Sequence, residues 1–383
     1  MKFAALLFLC PAVLFCADLK FAPHIIAPDL NDGYQVISAD LNRDGKPDLI
    51  ALGEQMTELV WYENPGWQRH VIVSGVHHTI NCAASDLDGD GVPEIALAYG
   101  FTMNPKTSAG SIVLLHHDGD SRKPWRIAHE IDHLPTSHRV RWADVFGDGY
   151  PVLIDAPLAG VDAVAPDYRA HVPVVFYRPG EWKRTLISDA NEGVQHAVTP
   201  VFWNSSKKEA LLTASFSGID LLQAGSDGKW TRTEISKGNP APWPKCGSSE
   251  AVLGHLRGTR YIASIEPWHG NQVVVYLPKG NTWARKVIDD SFIDGHTLWT
   301  GDFDGDGQDD MVAGYRGKGH SVYVYRAKDP KGGEWQRYDV DKGGMKAAAC
   351  TIADLNGDGR LDIACIGGNQ LKWYANETAK NAH

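Results

Sequence analysis

Short runs of alternating apolar and polar residues, ended by Gly, Asp, Asn or Pro, follow one another from Phe21 to Asn376. That is the pattern of half-buried strands, not of helices. One complete unit is legible near the start, where VISAD (36–40), DLIALG (48–53), ELVWYEN (58–64) and WQRHVIV (67–73) read as four successive strands. The third of them recurs as SIVLLHH (111–117), VPVVFYR (172–178), GIDLLQA (218–224), NQVVVYL (271–277), SVYVYRA (321–327) and QLKWYAN (370–376). The fourth recurs as WRIAHEI, WKRTLIS, WTRTEIS, WARKVID and WQRYDVD, a tryptophan followed by the alternation of an edge strand. Four strands per unit, repeating every ~40–50 residues, predict an all-β seven-bladed β-propeller. The seventh unit stops after Trp373 and Tyr374, whereas FAPHIIA (21–27) is a fourth strand without a unit. The N-terminal strand is therefore expected to complete the last blade and close the ring, leaving no free sheet edge.

The link between first and second strands carries a second pattern. DFDGDGQDD places Asp302, Asp304, Asp306 and Asp310 at its first, third, fifth and ninth positions, with Gly307 at the turn. Ca²⁺ takes six to eight oxygens, and alternate acidic side chains converge on it when a short chain wraps the ion. The pattern returns at Asp40, Asn42, Asp44 and Asp48, at Asp86, Asp88, Asp90 and Glu94, and at Asp354, Asn356, Asp358 and Asp362. A fifth copy, around Asp144, Phe146 and Asp148, lacks two ligands, and the fourth and fifth units carry NSSKKEA and HLRGTRY instead. None has the position-twelve glutamate or flanking helices of an EF-hand. About four structural Ca²⁺ ions are expected, pinning calcium-binding hairpin loops too polar to fold on themselves.

Composition narrows the partners. Apolar residues make up 43% of the chain, enough for a large core, and the formal charge of −10 lacks the Lys/Arg clusters that phosphate binding needs, which excludes a nucleic-acid partner. Residues 1–17, MKFAALLFLCPAVLFCA, read as a secretory signal peptide, which places the mature chain, a single domain over 18–383, outside the cell or in a periplasm. No later stretch is apolar enough to span a bilayer. Seven closed blades need no partner to bury their edges, so a monomer is expected. Of the cysteines outside the signal, only Cys350 and Cys365, flanking the last acidic loop, face each other across a hairpin; a disulfide and two buried thiols are both compatible with that spacing.

Acidic DxDGDGxxD loops between the strands of a seven-unit repeat resemble the FG-GAP and VCBS repeat proteins, a group that includes integrin alpha-chain propellers and many secreted bacterial proteins. The resemblance implies the fold and calcium binding, and leaves function open between enzyme and binding module.

In such a ring the first strands all start beside one mouth of the central channel, opposite the acidic loops. The residues placed there are Tyr34 and Gln35, His77 and His78, His138 and Arg139, His196, Ser249 and Glu250, His296, and Lys346. A histidine in a loop is ordinarily just solvated, but histidines at equivalent points of four units form a set. Loops over the same mouth add Tyr168, Arg169, Trp268, His269, Tyr315 and Arg316, aromatics beside charges that suit a sugar's apolar faces and hydroxyl edges. His78, His138, His196 and His296 are candidate bases or ligands for Zn²⁺ or another divalent metal. Arg139 and Lys346 are candidates to hold an enolate oxygen, and Glu250 is a candidate acid or ligand. The phrases HTLWTGDFDGDG, MVAGYRG and WYENP followed by WQRHVI are similar to the propeller domains of the aldos-2-ulose dehydratases, which implies β-elimination of water from a keto sugar such as 1,5-anhydrofructose. The alternatives are a non-catalytic glycan- or protein-binding propeller, and a lyase acting on uronic acids.

Overall fold

The computed structural model of the chain describes residues 18–204 and 207–379, so the signal-peptide expectation for residues 1–17 lies outside the described residues. Twenty-eight strands form seven four-stranded antiparallel sheets, arranged as the blades of a propeller, and no helix occurs among the described residues. Nothing among them is therefore a helix long and apolar enough to cross a membrane. Blades one to six take their strands in chain order from Gly33–Ala39 onward. In blade seven, Ala349–Ala353, Asp362–Gly367 and Gln370–Asn376 are followed outward by Phe21–Ala27, which pairs antiparallel with Gln370–Asn376 from Phe21↔Asn376. Both ends of the described chain thus share one sheet. First strands of successive blades touch around a complete cycle, that of blade seven also touching that of blade one.

The burial of each strand follows from its place. Second strands such as Asp48–Gly53, Val152–Pro157 and Asp310–Tyr315 are buried throughout, because both of their faces pack against neighbouring blades. Fourth strands such as Arg126–His133 and Trp335–Lys342 are mostly exposed, which is why their sequences alternate. A polar contact recurs between blades. Tyr177, Tyr325 and Tyr374, each on a third strand, donate their hydroxyls to Asp132, Asp289 and Asp341 on the fourth strand of the preceding blade, at 2.6, 2.7 and 2.7 Å. Arg184, Arg337 and Lys372 hold the same three carboxylates. Cys350 and Cys365 stand opposite one another on adjacent strands of blade seven and form a disulfide; Cys82 and Cys246 are free.

Candidate functional site

The site is built by one backbone irregularity used four times. In blades one, three, four and six the first strand slips by one residue against the second, between Gly33 and Gln35, Ser137 and Arg139, Gln195 and Ala197, and Gly295 and Thr297. Such a bulge leaves one residue out of the ladder and re-aims its side chain. The residues left out are Tyr34, His138, His196 and His296, all buried, and they meet one another. Tyr34 Oη lies 3.2 Å from His138 Nε2 and 3.4 Å from His296 Nε2. The His196 ring is 5.0 Å from those of both His138 and His296. Blade five has no bulge in this strand pair, and its contribution comes instead from the loop after Thr259–Glu266: His269 Nε2 sits 3.2 Å from His196 Nε2.

Charged neighbours set the protonation of this cluster. Arg139 reaches His138 Nε2 with Nη1 at 3.0 Å and His196 Nε2 with Nη2 at 3.5 Å. His196 Nδ1 faces Glu250 Oε1 at 2.8 Å, and His296 Nδ1 faces the Ala348 carbonyl, so in both rings the proton belongs on Nδ1 and the Nε2 lone pair points into the cluster. Arg316, clamped by both oxygens of Asp294, donates from Nη2 to His269 Nδ1 at 3.2 Å, which puts the His269 proton on Nε2. The other tautomer would direct Nδ1–H to Asp294 Oδ1 at 3.3 Å and free Nε2. Burial first, and neighbouring guanidinium and imidazole charge second, hold His138, His196, His269 and His296 well below the usual histidine range, so all four are neutral at pH 7. Burial pushes the Glu250 carboxyl up to about 7 against the pull of Arg139.

Below the cluster the axial channel holds a cavity of about 690 Å³. Its inner end is lined by Tyr34, Arg139, Glu250 and His296, and it runs along the first strands to Asp40 and Asp86 on the acidic-loop face. The space that reaches these residues therefore extends toward the face opposite the mouth where the sequence placed it. A smaller pocket of about 360 Å³ lies among the loops of the other face, between Tyr168, Phe216, Pro244 and Trp268.

The predicted residues divide accordingly. His138, His196, His296, Arg139, Glu250 and Tyr34 come together, and His269 and Arg316, read as substrate-binding, join them. His78 and Lys346 are exposed and have no hydrogen bond or ion pair to the cluster. Their blades lack the bulge, so neither side chain is re-aimed into the cluster. The signal that separates them is spacing: Tyr34, His138 and His296 each stand six residues before the first aspartate of their loop, and the same offset in blades two and seven gives Ile80 and Ala348. Tyr315 is buried, with its hydroxyl on the Gly319 carbonyl, and packs against Phe292. Arg169 is exposed and stacks on Trp243. Tyr168 packs edge-on to Trp268, whose buried Nε1 has no hydrogen-bond partner.

Among the described residues, three groups of side chains are close enough to share an ion around the loops, Asp86/Asp88/Asp90, Asp302/Asp304/Asp306 and Asp88/Glu94/His116, and one in the cluster, His196/His269/His296. In the blade-one and blade-seven loops, Asp40 and Asp354 accept the backbone N–H groups of their own turns.

The FG-GAP-like repeat family matches residues 40–97 and 302–365, and the β-propeller domain family of aldos-2-ulose dehydratase matches residues 109–279. Aldos-2-ulose dehydratase from Phanerodontia chrysosporium is 23% identical over 401 residues, an alignment that takes in 90% of this chain and 43% of that protein. The chain thus spans less than half the length of this curated relative. Among solved structures, a chain of the mitotic checkpoint complex superposes with a TM-score of 0.57 over 96% of this chain and 98% of its own length at 11% identity, a likeness of fold alone.

Proposed function

We propose that this FG-GAP-like propeller, similar to the propeller domain of aldos-2-ulose dehydratase, is a carbon–oxygen lyase that eliminates water from a keto sugar or a similar sugar derivative. The observation that carries the reading is the meeting of His296, Tyr34, Arg139 and Glu250 at the inner end of one cavity. A cavity of about 690 Å³ is ample for a monosaccharide.

His296, its tautomer set by the Ala348 carbonyl, takes the proton from the carbon next to the substrate carbonyl through Nε2. The C–H electron pair moves into an enolate, whose oxygen Arg139 stabilises. Collapse of the enolate expels the β-hydroxyl, and the Tyr34 hydroxyl, bonded to His138 and His296, protonates it to water. Glu250 fixes His196 and closes the network behind Arg139.

The acidic loops of blades one, six and seven are proposed to hold Ca²⁺ as structural ions. The leader-like residues 1–17 support export of the chain. A second reading has His196, His269 and His296 binding Zn²⁺ or a similar ion that would polarise the carbonyl, supported by the closeness of their nitrogens.

The test is turnover of 2-keto sugars, followed by the ultraviolet absorbance of the unsaturated product. Tyr34→Phe and His296→Gln are each expected to lower kcat by ~10²–10⁴ with melting temperature unchanged. Sugar binding by the wild type without turnover would move the protein to the recognition modules instead. Retention of full activity after removal of transition metals would rule out the metal-assisted form.

A further inference from the structure

The acidic loop of blade two differs from the others in what its third strand brings to it. Opposite the ninth loop position, where blades one, six and seven have Glu63, Arg326 and Ala375, blade two has His116. In blades one and seven the ninth carboxylate is fully occupied: Asp48 accepts from Leu41 and Asn64 N–H, and Asp362 from Leu355 and Asn376 N–H. Glu94, one methylene longer, accepts from Leu87 N–H through Oε2 alone. Its Oε1 has no hydrogen-bond partner although the side chain is only 3% exposed, and it lies 3.5 Å from His116 Nε2. His116 Nε2 is also 3.2 Å from Asp88 Oδ2, and the three atoms offered by Asp88, Glu94 and His116 all lie within 4.8 Å of one another.

Like Asp304 and Asp358 in the loops of blades six and seven, Asp90 is ion-paired. Its Oδ2 is held by Arg43 at 2.8 Å and by His117 Nε2 at 3.1 Å. His117 accepts from Gly119 N–H on Nδ1, so its own proton is on Nε2 and goes to Asp90. His117 also stacks flat on His116, with centroids 5.1 Å apart and planes 5° from parallel, which fixes the orientation of the His116 ring.

We propose that the blade-two loop is a transition-metal site, holding Zn²⁺ or a similar divalent ion through Asp88 Oδ, Glu94 Oε1 and His116 Nε2, and not a fourth calcium loop. Calcium prefers six to eight oxygens, whereas one imidazole with two carboxylates suits Zn²⁺, Mn²⁺ or Co²⁺. The ion would satisfy the buried Glu94 oxygen, and the half-exposed Asp88 leaves the remaining positions open to water. The site lies outside the histidine cluster, so it stands or falls independently of the lyase reading.

The experiment is crystallography of the whole chain grown with excess Ca²⁺ and a small amount of Zn²⁺, using zinc anomalous scattering, with zinc affinity measured by calorimetry. A zinc peak between Asp88, Glu94 and His116 is expected in the wild type, together with a loss of roughly 100-fold or more in affinity there in His116→Gln. His269→Ala, which alters only the cluster, should leave the peak in place. Because the half-exposed Asp88→Asn changes no packing, it provides a second variant that should also lose the ion. Calcium at this position in the presence of zinc, or a zinc peak that persists in both loop variants, would overturn the proposal.

Discussion

Asp155 shows what the interior of a blade does to a single carboxyl group. It is fully buried on a second strand, Ser137 donates to its Oδ1 at 2.8 Å, and its Oδ2 has no partner. Burial pushes its pKa from 3.8 up to about 8. The folded chain therefore keeps a proton that the unfolded chain releases above pH ~4, and stability falls as pH rises between those two values, by at most about 1.4 kcal/mol per unit. Asp155→Asn, which cannot ionise, should match the wild type near pH 4 and exceed it increasingly toward pH 8, by up to about 5 kcal/mol. Denaturant melts at the two pH values check this, and a gap that does not widen with pH would refute the assignment. At the same scale, the candidate site was half legible in the sequence. His138, His196 and His296 stood out as a repeated residue type, but the extra residue in each strand pair that turns them inward leaves no compositional mark. His78 and Lys346 are polar and near a strand start, but the constant offset from the acidic loops falls on Ile80 and Ala348 in their blades.

At the scale of elements, strands and turns were readable because alternation and acidic turns are local signals, while the contacts between blades were not. The loop around Asp144 makes the point. It keeps the turn of its relatives, Asp144 accepting from Gly147 and Gly149 N–H, though Phe146 stands where a ligand would and packs against Phe176 and Trp230. The turn is thus encoded by Asp and Gly, and ligands are an addition to it. The tyrosine-to-aspartate contacts between blades are invisible in the sequence, since the partners are up to 45 residues apart. They also carry a prediction. In Tyr325→Phe, Asp289 keeps Arg337 and Ser291 but loses one donor in a nearly buried position, and the loss should be about 1–2 kcal/mol by urea melts. Tyr150, 75% exposed, is the control, and Tyr150→Phe should change nothing. Equal effects of the two substitutions would show that the interblade bond contributes no net stability.

The whole molecule adds a constraint that no blade has alone. First strands touch around a full cycle, and Phe21–Ala27 ties the start of the described chain to its end in blade seven, so no blade is a terminal repeat that can fray by itself. The acidic loops lie on one face of this ring, and the chain carries a formal charge of −10. Three Ca²⁺ ions in blades one, six and seven would offset much of that charge where it is densest. An ion that bound only the folded loop would, at about 100 times its dissociation constant, add about 2.7 kcal/mol per site. Removing calcium with a chelator should therefore lower the melting temperature of the entire ring in a single transition, not release one blade at a time. The drop should be larger at low ionic strength, where repulsion between neighbouring loops is screened over a longer distance, ~30 Å at 0.01 M against ~10 Å at 0.1 M. Scanning calorimetry with calcium and with chelator, at two salt concentrations, reads all of this at once. A melting temperature indifferent to chelation would leave the turns, and not the ions, as what holds the acidic loops.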